Sequence, residues 1–156
     1  KFVIVGDGRY QTEFEEKIIE NDVGEMFTMV PRVPAERIPE ILSCCDAGFI
    51  GFKNEKLWEM TIPAKLQSYM ACGKAIIASA AGETKRIIEE AECGVCCEIG
   101  NPLSLANGIK KLLRMDLNLL GERARQYFLS HFEKKMLMDE IDDFIQGGKK
   151  NEFTSD

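Results

Sequence analysis

Pro63-Ala64-Lys65-Leu66-Gln67-Ser68-Tyr69-Met70-Ala71-Cys72-Gly73-Lys74-Ala75-Ile76-Ile77-Ala78 carries the pattern on which the fold turns. Proline suits the first turn of a helix, because the N–H it lacks would find no intrahelical partner there. Gly73 suits the position just past the helix end, where the backbone turns left-handed. Residues 75–78 then run apolar without a polar alternate. A strand covered on one face alternates, whereas one buried on both faces does not. A helix leading into a doubly buried strand is the repeating unit of a parallel sheet with helices on both faces.

The same unit recurs in both directions. Upstream, Phe2-Val3-Ile4-Val5 stops at the turn Gly6-Asp7-Gly8, and a helical period begins near Gln11 with Phe14, Ile18 and Ile19 on one face. A strand over 26–30 follows, then a helix opened by Pro34-Ala35-Glu36-Arg37 and carrying Ile38, Ile41 and Leu42. A third strand over 48–52 and a polar loop over 53–61 lead back to Pro63. Downstream, the pattern predicts a helix over 84–90, a fifth strand over 94–99, and helices from Pro102 onward, including 119–128 and 135–144. The fold class is therefore α/β, a doubly wound, Rossmann-like parallel sheet with helices on both faces. Residues 1–146 read as one domain and 147–156 as a polar, disordered tail.

Composition narrows the function. At 156 residues the chain is one domain's length, and its 45% hydrophobic and 29% charged content is that of a globular protein. No apolar run approaches the ~20 residues that cross a bilayer, and no signal-peptide pattern is present. A formal charge of −6, with Lys and Arg scattered, argues against nucleic acid as a partner. Among six cysteines, Cys93 and Cys96 have C-x-x-C spacing. Cys96 and Cys97 fall in a strand pattern and point to opposite faces, and the single histidine, His131, lies far along the chain. Buried, reduced thiols in a cytosolic protein are the expectation, with no metal site. Lys1 leads straight into a strand, which suggests a sequence cut from a longer one.

In such sheets a ligand sits beyond the carboxyl ends of the strands. Two segments suit phosphate. Gly6-Asp7-Gly8-Arg9 lacks the full G-x-G-x-x-G spacing, so it is no nicotinamide fingerprint; it reads equally as a tight turn and as a binding loop. Thr61-Ile62-Pro63-Ala64-Lys65 opens a helix, whose first N–H groups and partial positive charge attract an anion. A cation in that turn is disfavoured by up to about 1 kcal/mol, which a bound phosphate would cancel; extension of Lys65 into solvent is the alternative. Trp58 either covers a ligand or packs against the domain edge. Glu83 and Thr84 read as a helix cap, with ligand contact as the alternative, and His131 as a surface or packing residue.

Taken in order, Val5-Gly6-Asp7-Gly8, Arg32-Val33-Pro34 with Cys45-Asp46-Ala47, Pro63-Ala64-Lys65 and Tyr69-Met70-Ala71-Cys72-Gly73-Lys74 form a recognisable series. Gly82-Glu83-Thr84 with Ile87-Ile88-Glu89, and Gly94-Val95 with Gly100-Asn101-Pro102, continue it. The series resembles the C-terminal, donor-binding domain of the retaining GT-B glycosyltransferases of family 4 (group 1), most nearly those that build bacterial surface polysaccharides. The resemblance implies an enzyme that moves a sugar from a nucleotide-sugar to a glycan or lipid-linked acceptor, with no cofactor and no metal. It implies that the helix at Pro63 meets the diphosphate and that backbone near Arg32 and Val33 meets the base. The implied donor-binding set is Gly6, Gly8, Arg32, Val33, Thr61, Ile62, Pro63, Ala64, Lys65, Gln67 and Ser68, with Lys65 as the catalytic cation.

The family's two glutamates, eight apart, fall here on Met60 and Ser68, beside Glu59 and Gln67. The ribose contact that the second glutamate makes therefore passes to Ser68 or Gln67. That departure keeps other readings open: a non-catalytic nucleotide-binding subunit, a degenerate GT-B domain, or a nucleotide-sugar epimerase. The resemblance also implies an Arg and a Lys for the diphosphate, a first sheet strand and an acceptor-binding domain, all upstream of Lys1. The chain alone is then expected to transfer no sugar. Residues 2–6 are expected to pair directly with 48–52, giving strand order 2-1-3-4-5, the alternative being a dimer whose partner strand fills the gap. The whole protein is expected in the cytoplasm, with peripheral association at the inner membrane face open to it.

Overall fold

The structure, a computed structural model, describes residues 1–151, with side chains through Gln146. Two compact units divide the chain, Lys1–Ile41 and the remainder from Leu42.

The first unit holds β1 (Phe2–Val5), α1 (Gln11–Glu20) and β2 (Phe27–Val30), and a single turn of 3-10 helix, Ala35–Arg37, leads into α2 (Ile38–Ser43). β1 and β2 are parallel, with Phe2 opposite Phe27 and Val5 opposite Val30. Their contact is aromatic: the rings of Phe2 and Phe27 stack at 5.3 Å, and Phe14 of α1 meets Phe27 edge-on at 5.5 Å.

The second unit holds β3 (Ala47–Gly51), α3 (Lys56–Glu59), α4 (Ala64–Ala71), β4 (Ala75–Ser79), α5 (Gly82–Glu90) and β5 (Gly94–Cys97). It continues with α6 (Pro102–Leu112), α7 (Leu117–His131) and α8 (Lys134–Asn151). Its sheet is parallel in the order β3-β4-β5. All five residues of β4 are buried, as its unalternating sequence requires. Ile76 and Ala78 pack with Leu66 and Met70 of α4, Ile87 and Ile88 of α5, and Ala124 of α7. Ala75 and Ile77 belong to the second cluster, with Val95 and Cys97 of β5, Leu112 of α6 and Leu120 of α7. One strand thus supplies two cores, one on each face.

The helix ends follow their chemistry. At the end of α4, Gly73 adopts φ +62°, its N–H donates to Met70 O, and the Lys74 N–H reaches back to Tyr69 O, both at 3.0 Å. That double bond is a Schellman motif, which the glycine makes cheap. Asn101 caps α6 by accepting from the Ser104 N–H, with Pro102 next in line, and Asp116 caps α7.

The structure differs from the sequence reading in several places. The order 2-1-3-4-5 is realised as 2-1 in the first unit and 3-4-5 in the second; among the described residues no ladder pairs 2–6 with 48–52. Each ladder that forms joins strands linked by one crossover. The loop over 53–61 contains the turn of helix α3, and β5 stops at Cys97 rather than residue 99. The backbone of α8 continues past residue 147 to Asn151; the rest of the expected tail lies outside the described residues.

Candidate functional site

The first candidate is a cleft of about 420 Å³ at the carboxyl ends of β1 and β2, lined by Ile4, Val5, Gly6, Asp7, Gly8, Arg32, Val33 and Ile38. This volume is in the range of small-molecule sites. Four residues predicted from the sequence, Gly6, Gly8, Arg32 and Val33, come together here. Gly6 sits at φ +111°, a conformation that side-chain-bearing residues rarely adopt, and its N–H donates to Val30 O at 2.9 Å. That bond carries the β1-β2 ladder one residue past the strand and turns the chain. Gly8 accepts from the Gln11 N–H at 3.0 Å, and open space surrounds the position of a Cβ at either glycine. The Arg32 Nε and an Asp7 carboxylate oxygen pair at 3.0 Å, both well exposed. Such a pair contributes at most about 1 kcal/mol, so an anionic ligand can compete for the guanidinium at small cost. Sequence reading left Ile4, Val5, Asp7 and Ile38 out of this set: the three apolar residues belong to strand and helix patterns, and Asp7 was read only as part of the turn.

The second candidate lies in the other unit, at the start of α4. Pro63 is the N-cap, one residue earlier than expected, with φ −73° and ψ 141°, and its carbonyl accepts from the Leu66 N–H at 2.9 Å. Ala64, Lys65 and Ser68 are exposed and Gln67 is half-buried, while Leu66 between them is wholly buried. The Lys65 ammonium therefore extends from an anchored first turn. The Ser68 hydroxyl donates back to Ala64 O at 2.9 Å. Ile62 is exposed, and the Thr61 hydroxyl donates to Trp58 O at 3.2 Å. Trp58 stacks on Phe52 at 5.4 Å with rings 14° apart and stays partly exposed.

Thr84 and Glu83 do not cap α5, whose N-cap residue is Ala81 with no side-chain bond. Thr84 is fully buried, and its hydroxyl donates to Thr61 O at 3.0 Å; a tertiary partner outcompetes the local one. Glu83 pairs with Arg86, whose hydrogen bond holds its carboxyl below the ordinary range. His131 ends α7, stacked on Tyr127 at 3.9 Å.

Among the described residues, no disulfide joins any of the six cysteines. Cys93 and Cys97 are buried, but Cys44 is exposed, which corrects the reading of uniformly buried thiols: Cys44 falls in the turn after α2, at the surface. Burial pushes the Cys93 thiol up to about 12 and the Cys96 thiol up to about 11. Among the described residues, no three His, Cys, Asp or Glu side chains converge in a way that would hold a metal ion. Nor is any described helix long and apolar enough to cross a membrane.

Parallel strands covered by helices, with a glycine turn at the sheet's carboxyl edge, define the doubly wound α/β class. Within it, the chain belongs to the family Glycosyl transferases group 1, whose sequence profile matches residues 1–128. A curated relative, the probable glycosyltransferase WbjE of Pseudomonas aeruginosa, is 24% identical over 142 residues, which is 90% of this chain and 35% of that protein. This chain thus spans about a third of the relative's length. Among solved structures, sucrose-phosphate synthase of Thermosynechococcus elongatus matches with a TM-score of 0.78 and 19% identity, over 96% of this chain and 38% of that one. AviGT4, a glycosyltransferase involved in avilamycin A biosynthesis, matches with a TM-score of 0.69 and 12% identity, over 92% of this chain and 42% of that one. At these identities the likeness is one of fold, and it bears out the α/β, GT-B type of architecture.

Proposed function

We propose that this chain is the donor-binding half of a retaining glycosyltransferase, which moves a sugar from a nucleoside-diphosphate sugar to a glycan or lipid-linked acceptor. The observation that carries the reading is the gathering of Gly6, Gly8, Arg32 and Val33 around one cleft at the carboxyl edge of a family-matched sheet. In this reading the diphosphate meets the amino end of α4. Breaking the bond between sugar and phosphate leaves charge on the nucleoside diphosphate, and fixed N–H groups with a nearby cation stabilise that charge without reorganising. Lys65 and the Ala64 backbone are assigned that role. The acceptor, and the groups that hold it, belong to the remainder of a longer protein, so the isolated chain binds donor weakly and transfers nothing.

Titration with UDP, GDP and ADP, read by amide chemical shifts, tests this. The expected result is a set of shifts at residues 6–9, 32–33 and 61–68. Shifts confined to other parts of the chain, or sugar transfer by this chain alone, overturn it. A second reading, a non-catalytic nucleotide-binding subunit, is favoured by one detail: Ser68 stands where the resemblance expects a ribose-binding glutamate, with its hydroxyl turned into its own helix. Nucleotide binding by the full-length protein without turnover of any nucleotide-sugar would favour that second reading.

A further inference from the structure

The segment that enters α4 is held from one side by the first turn of α5. The Thr84 side chain is fully buried, and its hydroxyl donates to Thr61 O at 3.0 Å across 23 residues of sequence. Two residues earlier, Gly82 adopts φ +59° with the Glu59 backbone pressed against it: a Cβ there would lie 2.0 Å from Glu59 O. On its other flank the segment is tied down by Trp58, stacked on Phe52, and by the Thr61 hydroxyl bonded to Trp58 O. The backbone from Glu59 to Thr61 is thus clamped just before the first turn of α4.

We infer that Thr84 is a positioning residue for the amino end of α4, setting through the Thr61 carbonyl where the first-turn N–H groups and Lys65 point. The inference rests on the donor-site reading above. Its physical basis is that hydrogen-bond donors stabilise an anion only when fixed in place beforehand, and an unanchored loop would have to be ordered at each binding event. Thr84→Val keeps the shape of the side chain and removes the donor, leaving the Thr61 carbonyl unmatched. Thr84→Ser keeps the donor.

Pyrophosphate is the probe, because it carries the diphosphate without committing to a base. Two readouts are taken on the whole chain: amide hydrogen exchange without ligand, and pyrophosphate affinity by calorimetry. In Thr84→Val, exchange should rise at residues 61–66 and stay unchanged in β4, and pyrophosphate should bind about fivefold more weakly, the effect of one hydrogen bond. Thr84→Ser should restore both. A uniform rise in exchange across the second unit with unchanged affinity would make Thr84 a packing residue only and overturn the inference. Failure of the unaltered chain to bind pyrophosphate or any nucleoside diphosphate overturns the donor-site reading instead, and with it this use of the clamp. Those two failures appear in different samples.

Discussion

Two neighbouring residues in the first turn of α4 separate folding from binding. Leu66 is completely buried among Met70, Ile76 and Ile87, while Lys65 beside it is exposed. Leu66→Ala removes buried methyl groups and leaves a cavity, a change that costs about 3 kcal/mol. For a domain of this length that lowers the melting temperature by roughly 6–12 °C. Lys65→Ala acts in the opposite sense on the fold. It removes a cation from the positive end of a helix and places the best helix former there, for a gain of about 0.3–1 kcal/mol. Its effect on ligand should be a loss: the charge-assisted contact to a diphosphate is worth roughly tenfold in affinity at low salt. The loss should shrink toward nothing at 1 M salt, where the screening length is about 3 Å. Thermal unfolding and calorimetric titration with a nucleoside diphosphate, each at two salt concentrations, measure all four quantities. A Lys65→Ala protein that melts as early as Leu66→Ala, or that binds nucleoside diphosphate as tightly as the unaltered chain, would refute the assignment of that turn to the ligand.

Further outcomes follow from the packing and the thiols. Gly121→Ala would place a Cβ 2.1 Å from the Gly73 carbonyl, where α7 crosses the end of α4. The helices must separate, so unfolding in urea should show a loss of about 1–3 kcal/mol, and an unchanged midpoint would contradict the close crossing. Burial raises the Cys93 thiol from an ordinary 9.0 to about 12, so above pH 9 the unfolded chain loses a proton that the folded chain keeps. Stability is therefore fully present below pH 9 and falls as pH rises toward 12, by up to about 1.4 kcal/mol per unit from this residue. Denaturant midpoints of the unaltered chain and of Cys93→Ala, compared from pH 8 to 11, check the slope, which should lessen in the variant. In labelling at pH 8, Cys44 should react first and Cys93 and Cys97 only on unfolding; early reaction of Cys93 would contradict its burial.

Local pattern was enough for the fold class and for most element positions, because each depends on neighbours in the chain. The apolar run at 75–78 could only be a strand buried on both faces, and β4 is buried throughout. Pro63, Gly73 and Pro102 announced helix ends through backbone chemistry that needs no distant partner, and they lie at or next to the ends observed. Gly6 and Gly8 marked a turn at a strand's carboxyl end, and the first-unit cleft opens there. Where the outcome depended on residues far apart in sequence, pattern was not enough. Thr84 stands where a cap is expected, yet its hydroxyl finds Thr61, 23 residues away, because burial makes a tertiary acceptor worth more than a local one that water can replace. Trp58 gave no sign in sequence that Phe52, six residues earlier, would stack on it. The β1-β2 and β3-β4-β5 ladders, each within its own unit, follow from consecutive crossovers. Chain-local sterics and hydropathy thus settled what each segment is. Which distant partner each side chain meets, and so how the loop before α4 is held, was decided by the tertiary structure, where burial sets the strength of every polar contact.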